Sequence, residues 1–297
     1  MTFGAGTMQD MSSRYEYTAA GDRYYNYCLW EYEPPASPIG KFRAATLLYH
    51  SFEYAGIDER AYRIVQSIRE AFGPLNTVWG AKWNGTVLTW EFYFYDYRRR
   101  DRERSISRLL QAITPLVPCG LAINEYLHYF MFSIDIDQQL VTGVRDLDTI
   151  NLYLGNPGST VSSGISYALT REGRKLQNLY FFFDPRQHRE EIIGKICCSA
   201  FIEPRQIDIR DILMPELADC GTICLANKQH NDCIYFSGIT VDQLIWFLDR
   251  LDYPAGIRAF VMTNRTKLDH LLYDVGIDYR MEQDGLRILK SGYYGTF

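Results

Sequence analysis

The stretch "TWEFYFYDYRRR" at 89–100 decides how this chain is read. Successive side chains of a strand point to opposite faces. Trp90, Phe92 and Phe94 therefore fall on one side, and Glu91, Tyr93 and Tyr95 on the other. Neither is an ordinary wet face. The first is wholly aromatic and needs a cover. The second is a row of phenols with a carboxylate at its end, and it reads as the wall of an internal, polar-aromatic cavity.

Working outward, "TVWGAKW" at 77–83 and the turn Asn84-Gly85 turn the stretch into a hairpin, because Asn-Gly between alternating runs favours a tight reversal. Pairing across that turn sets Trp83 opposite Thr86 and Trp79 opposite Trp90. Trp79, Ala81, Leu88, Trp90, Phe92 and Phe94 then share the covered face, and Lys82, Thr89, Glu91, Tyr93 and Tyr95 the polar one.

The same parity recurs down the chain. In "EYLHYFMFSID", Tyr129, Met131, Ser133 and Asp135 oppose His128, Phe130 and Phe132. Asn151 and Tyr153 oppose Ile150, Leu152 and Leu154; Asn178 and Tyr180 oppose Leu179, Phe181 and Phe183. Lys228, Cys233, Tyr235 and Ser237 oppose Ile223, Leu225, Ile234 and Phe236. A final pair is split, with a strand at "IRAFVMT", a helix at "KLDHLLYDVG" and a return through "DYRMEQDGLRILKSGYYG".

Helical spacing separates these hairpins. Two helices fit between Ile39 and Phe72, and others fit "RDRERSISRLLQAI", "PRQHREEIIGKICCSAFI" with Pro185 in its first turn, and "TVDQLIWFLDRL" behind an N-capping Thr240. Strands joined by short turns are antiparallel neighbours, and about ten of them can close on themselves, which removes the edges. The predicted fold is α+β: an antiparallel ten-stranded β-barrel of repeated ββα units inside a ring of α-helices. Residues 1–38, closed by "PPASP", form an irregular N-terminal arm, and 39–297 a single domain. The competing reading is a sheet with its polar face simply in water, as antiparallel sheets allow.

Composition narrows the function. The 297 residues are 47% hydrophobic with a net charge of −5, a poor basis for neutralising phosphates along a nucleic acid. Aromatic residues make up 15%, and 23 tyrosines outnumber 16 phenylalanines, which suits a lumen better than a solvated face. Seven cysteines without a C-x-x-C pair read as free thiols in a reducing compartment. No secretory leader or apolar run of transmembrane length is visible, so a cytoplasmic protein without membrane or nucleic-acid partners is expected. The oligomeric state is open.

Phosphate-loop, dinucleotide-binding, zinc-protease and nucleophile-elbow motifs are absent. No two of His50, His128, His188, His230 and His270 have metal-ligand spacing, and Asp135 and Asp137 read as a solvated strand end. What remains is an aromatic lumen with scattered cations, Lys82, Arg174, Lys228, Arg258 and Lys290. Cations bind an anion such as diphosphate. Phenol faces stabilise a carbocation and exclude the water that would quench it. Glu91 is the candidate to accept a proton from an aromatic ring. Tyr93, Tyr95, Tyr129, Tyr153, Asn178, Tyr180 and Tyr235 are the candidate lumen wall.

Hairpin-and-helix order of this kind resembles the ABBA-type (PT-barrel) aromatic prenyltransferases. "GRKLQNLYF" resembles that family's third-repeat hairpin, with Arg174, Asn178 and Tyr180 at its basic and Asn-x-Tyr positions. "TWEFYF" resembles its first-repeat strand with an inward acid, here Glu91, and "IRAFVMTNRTKLDHLLYDVGIDY" its late strand–helix segment. The resemblance spans roughly residues 75–290. It implies an allylic diphosphate and an aromatic acceptor as substrates, with Lys82, Arg174, Lys228 and Arg258 around the diphosphate. No certain cofactor follows, and Mg²⁺ is compatible with it although no ligand cluster is visible. Two other classes fit: a barrel that binds a hydrophobic small molecule or runs a cyclase or isomerase reaction, and an interaction protein whose tyrosines are exposed.

Overall fold

The computed structural model describes residues 14–97, 102–155 and 162–297. The first part of the arm, the basic run 98–100 and Asp101 lie outside them; of the helix predicted from "RDRERSISRLLQAI", residues 102–105 are turn and cap, and the helix begins at Ile106. Ten strands form one closed antiparallel ladder: β1 (Thr77–Trp83), β2 (Leu88–Tyr95), β3 (Met131–Ile136), β4 (Ile150–Gly155), β5 (Ser162–Thr170), β6 (Gly173–Phe183), β7 (Thr222–Lys228), β8 (Asp232–Ile239), β9 (Tyr273–Glu282) and β10 (Gly285–Thr296). Each strand pairs with its neighbours in sequence, and β10 returns to β1.

Helices lie outside the ladder: α1 (Ala45–Ala55), α2 (Arg60–Phe72), α3 (Ile106–Ile113), α4 (Gln138–Thr142), α5 (Arg189–Cys197), α6 (Arg210–Leu213), α7 (Val241–Arg250), α8 (Ala255–Thr263) and α9 (Arg265–Leu268). Ser105 caps α3 by accepting from the Arg108 N–H. Thr240 caps α7 in a reciprocal capping box with Gln243. The outward aromatic face of the opening hairpin is covered as its composition requires. Trp90 packs edge-on against Phe52 of α1 and donates its indole N–H to Ser51 at 2.8 Å, while Phe94 meets Phe72 of α2. The cover thins over β6, where Leu176 and Leu179 remain exposed.

Three features correct the expectation from sequence. The first hairpin is longer in its turn: Trp83 faces Leu88 and Trp79 faces Phe92, because Asn84 Oδ1 accepts from the N–H groups of Thr86 and Val87 at 3.0 and 2.8 Å and widens the loop. The slip is two residues, so every side chain keeps its face. "IRAFVMT" is not a strand but most of α8. Pro254 precedes it, and Ile257 and Val261, four apart, are its buried residues. The last two strands instead come from 273–296, where the predicted helix "KLDHLLYDVG" gives way to β9. Pro185 lies in a turn ahead of α5, not in its first turn.

Inside the barrel, tyrosine rings lie close against glycines directly across the ladder. A Cβ on Gly276 would stand 2.9 Å from Tyr235 Cε1 and 3.1 Å from the Ile234 carbonyl. A Cβ on Gly80 would stand 2.7 Å from Tyr294 Cδ1. These positions let broad rings line a narrow tube. We expect Gly276→Ala and Gly80→Ala each to destabilise the protein by about 1–3 kcal/mol, the usual effect of overpacking. Urea denaturation with an unchanged m-value checks this, and a loss below about 0.5 kcal/mol at both positions would contradict the close ring-on-backbone packing.

Candidate functional site

The ladder encloses a cavity of about 590 Å³, within the range that takes up a small organic ligand. Its wall has two levels, four residues apart on each strand: 91 and 95 on β2, 290 and 294 on β10, 278 and 274 on β9. One level carries charge. The other is closed by the arm.

At the charged level, Lys82 of β1 forms an ion pair with Glu91 of β2 and stands 3.6 Å from Asp135 of β3. The Glu91 carboxylate also accepts from the Tyr93 hydroxyl at 2.7 Å, from Ser133 and from Tyr153 at 3.4 Å. Across the lumen, Asp278 of β9 accepts from Lys228 at 2.7 Å, and Lys290 Nζ lies 3.3 Å away. Two bulges shape this level. The extra residue Leu289 in β10 brings Lys290 opposite Asp278. The extra residue Gln177 in β6 turns Gln177 to the cavity.

These contacts set the protonation states. Burial alone would raise the Glu91 carboxyl, but Lys82 and the donated hydrogen bonds hold it down to about 2. The same balance holds Asp278 well below the ordinary carboxylate range, with Lys228 and Lys290 outweighing desolvation. Burial works against charge on Lys82, yet Glu91 and Asp135 keep it an ammonium. Burial pushes the phenols of Tyr93, Tyr95, Tyr153 and Tyr235 far up and Tyr180 to about 12, so all are neutral hydroxyls.

At the opposite level the arm enters. The N–H of Tyr27 donates to Asp274 at 2.7 Å, the Tyr97 hydroxyl donates to the Cys28 carbonyl at 2.8 Å, and Tyr95 donates to the Tyr27 carbonyl. The Tyr27 ring stacks on Tyr235 with centroids 6.2 Å apart and sits beside Tyr294. Asp274 also accepts from the Gly238 N–H at 3.2 Å. Desolvation outweighs these bonds and raises its carboxyl to about 7.

Tyr93, Tyr95, Tyr153, Asn178, Tyr180, Tyr235, Glu91, Lys82 and Lys228 all line this cavity. Three expected residues do not. Tyr129 precedes the first residue of β3, where strand alternation no longer applies. It is buried outside the barrel, its hydroxyl bonded to the Ile106 N–H and to Glu125 and its ring under Arg102. Arg174 shares parity with Asn178 in sequence, but the Gln177 bulge turns it to the outer face opposite Leu169. Arg258, on α8 rather than a strand, pairs with Asp249 and Asp252 outside the ladder. Sequence reasoning missed Asp278 and Tyr294. Both lie in "DYRMEQDGLRILKSGYYG", which was read as a single return with no inward face assigned to it. Nothing in the arm's irregular sequence announces Tyr27, Cys28 and Trp30 as cavity residues.

Among the described residues no three His, Cys, Asp or Glu side chains gather to hold a metal ion. Glu91 and Asp135, opposite one another in the ladder, already engage Lys82. Among the described residues these carboxylates leave no free ligand set for the Mg²⁺ compatible with the resemblance. No helix among the described residues is long and apolar enough to cross a membrane. No family model and no curated protein matches the chain.

Two outcomes test the site's electrostatics. Lys82→Met leaves the Glu91 carboxylate buried without its cation and should cost about 3–5 kcal/mol of stability. Adding Glu91→Gln should recover most of that loss in a double-mutant cycle. Additive losses would show that the two residues do not depend on each other. For Asp274, the folded state keeps a proton that the unfolded chain releases between pH 3.8 and about 7. Stability conferred by this group therefore falls as pH rises through that window and is flat above it. Thermal melts of wild type and Asp274→Asn should diverge across the window in that direction; a constant difference from pH 4 to 8 would refute the raised value.

Proposed function

We propose that the barrel binds an allylic prenyl diphosphate with an aromatic acceptor and transfers the prenyl group to the acceptor. The observation that carries this reading is the placement of Lys82, Lys228 and Lys290 around one end of a phenol-lined cavity. Each ammonium has three donors, so a lysine held by one carboxylate still offers protons to a diphosphate. The carboxylates fix where the ammonium groups stand before the anion arrives.

In the proposed reaction the allylic C–O bond breaks and its electron pair leaves with the diphosphate, held by the lysines. The cation lies against the faces of Tyr93, Tyr153, Tyr180, Tyr235 and Tyr294, whose quadrupoles favour positive charge. Ring closure around it excludes water. The acceptor's π electrons form the new bond, and its displaced proton goes to a carboxylate. In this reading Glu91 takes that role. A carboxylate held down to about 2 is a weak base toward neutral groups, but the protonated ring that results from alkylation is a much stronger acid, so the transfer still runs downhill. Lys82 and the Tyr93 and Ser133 hydroxyls orient the carboxylate.

One observation favours a second reading. Lys82, Lys228 and Lys290 face Glu91, Asp135 and Asp278, so this level carries no excess positive charge. A barrel that binds a neutral hydrophobic molecule, or a cyclase or isomerase acting on one, needs none. The deciding experiment is incubation with dimethylallyl, geranyl and farnesyl diphosphates and a panel of aromatics, read by mass spectrometry beside calorimetric titration of the diphosphates. The expected result is a prenylated product. Lys228→Glu should weaken diphosphate binding about tenfold or more, roughly the effect of removing one charge-assisted contact, while Arg174→Glu, on the outer face, leaves it unchanged. Uptake of hydrophobic ligands without diphosphate binding would overturn the transferase reading and leave the second.

A further inference from the structure

We infer that the N-terminal arm, through Tyr27, sets the length of hydrophobic chain that the lumen accepts. The inference rests on the proposed function only for the chain's direction, with its polar head at the lysine level. Tyr27 belongs to no strand, yet its ring lines the cavity at the level opposite the lysines. It lies against Tyr235 and Tyr294, which come from β8 and β10. Its hydroxyl is buried beside the Cys28 and Cys224 thiols, which are weak partners, so the ring is placed chiefly by packing. The backbone beneath it is fixed independently: the N–H donates to Asp274 and the carbonyl accepts from Tyr95. The side chain can therefore be shortened without releasing the arm.

The depth follows from the ladder. Four residues separate the lysine level from the Tyr27 level on β2, β9 and β10. At about 3.4 Å per residue and a strand tilt of roughly 35–45°, that is roughly 10 Å along the barrel axis. An extended ten-carbon geranyl chain fits this depth, and a fifteen-carbon farnesyl chain, half as long again, does not. The Tyr27 ring is thus the floor on which a ten-carbon chain ends. Replacing it with a small side chain extends the cavity toward Cys28 and Cys224, which line it at the same end.

The test uses the intact protein and two ligand series. Calorimetric titration with 4-n-alkylphenols reads depth without diphosphate or catalysis. Wild-type affinity should rise about fourfold per added CH₂, the usual gain for apolar burial, and stop rising when the chain meets Tyr27. Tyr27→Ala should move that limit to longer chains by about three or four carbons, the reach of the deleted ring. Tyr27→Phe should keep the wild-type limit, since the ring rather than the hydroxyl blocks the chain. In the second series, Tyr27→Ala should raise the farnesyl-to-geranyl preference at least tenfold for the diphosphates. Tyr27→Leu, smaller than the ring but still apolar, covers the case in which the alanine variant does not fold and should move the limit by one or two carbons. An unchanged alkylphenol limit in the folded variants overturns the inference. A shifted limit without any diphosphate binding supports it while sinking the prenyl-transfer reading, so the two failures are distinguishable.

Discussion

Everything in this molecule depends on a ladder that closes on itself. Once β10 pairs with β1, alternate residues of every strand have nowhere to go but a shared interior, and the others must be covered from outside. Closure removes exposed edges, and it also dictates composition. The outward set, Trp79, Trp90, Phe92 and Phe94, is buried under helices. The inward set is mostly phenols, whose rings tolerate a dry wall and whose hydroxyls bond to polar neighbours, Tyr93 and Tyr153 to Glu91 and Tyr180 to Asn178. Narrowness imposes a further demand, that glycines such as Gly80 and Gly276 sit across from the largest rings.

Charge inside such a tube is held by reciprocity. An ammonium or a carboxylate alone would lose its hydration without return. Lys82 with Glu91 and Asp135, and Lys228 and Lys290 with Asp278, solve this in pairs. Such pairs contribute little to stability compared with apolar replacements. In the proposed function these pairs hold the ammonium groups where a diphosphate head would meet them. At the other end Asp274 lacks this arrangement. It holds the arm through backbone hydrogen bonds and takes up a proton near neutral pH.

How much of this was legible in the sequence differed by feature, for geometric reasons. The inward and outward faces of β2, β4 and β8 follow from a period of two, and they survived even a wrong register at Asn84-Gly85, because a slip of two residues preserves parity. A single extra residue does not. The bulge at Gln177 moved Arg174 to the outside, and a bulge leaves no mark in composition. Tyr129 failed for a related reason, since alternation was extended back beyond the start of β3. Arg258 failed because a short apolar run with β-branched residues fits strand and helix alike, and only Pro254 and the Ile257–Val261 spacing tell them apart. The arm's part in the site had no periodic signal at all. Tyr27 reaches the lumen through tertiary hydrogen bonds to residues far along the chain.

The most direct measurement of the central claim is a crystal structure of the protein soaked with geranyl S-thiolodiphosphate, which resists ionisation. The account predicts the diphosphate within hydrogen-bond distance of Lys82, Lys228 and Lys290, the chain running between the phenol rings, and its end against Tyr27. A diphosphate bound on the outer surface, or a chain entering with its head at the Tyr27 level, would contradict it.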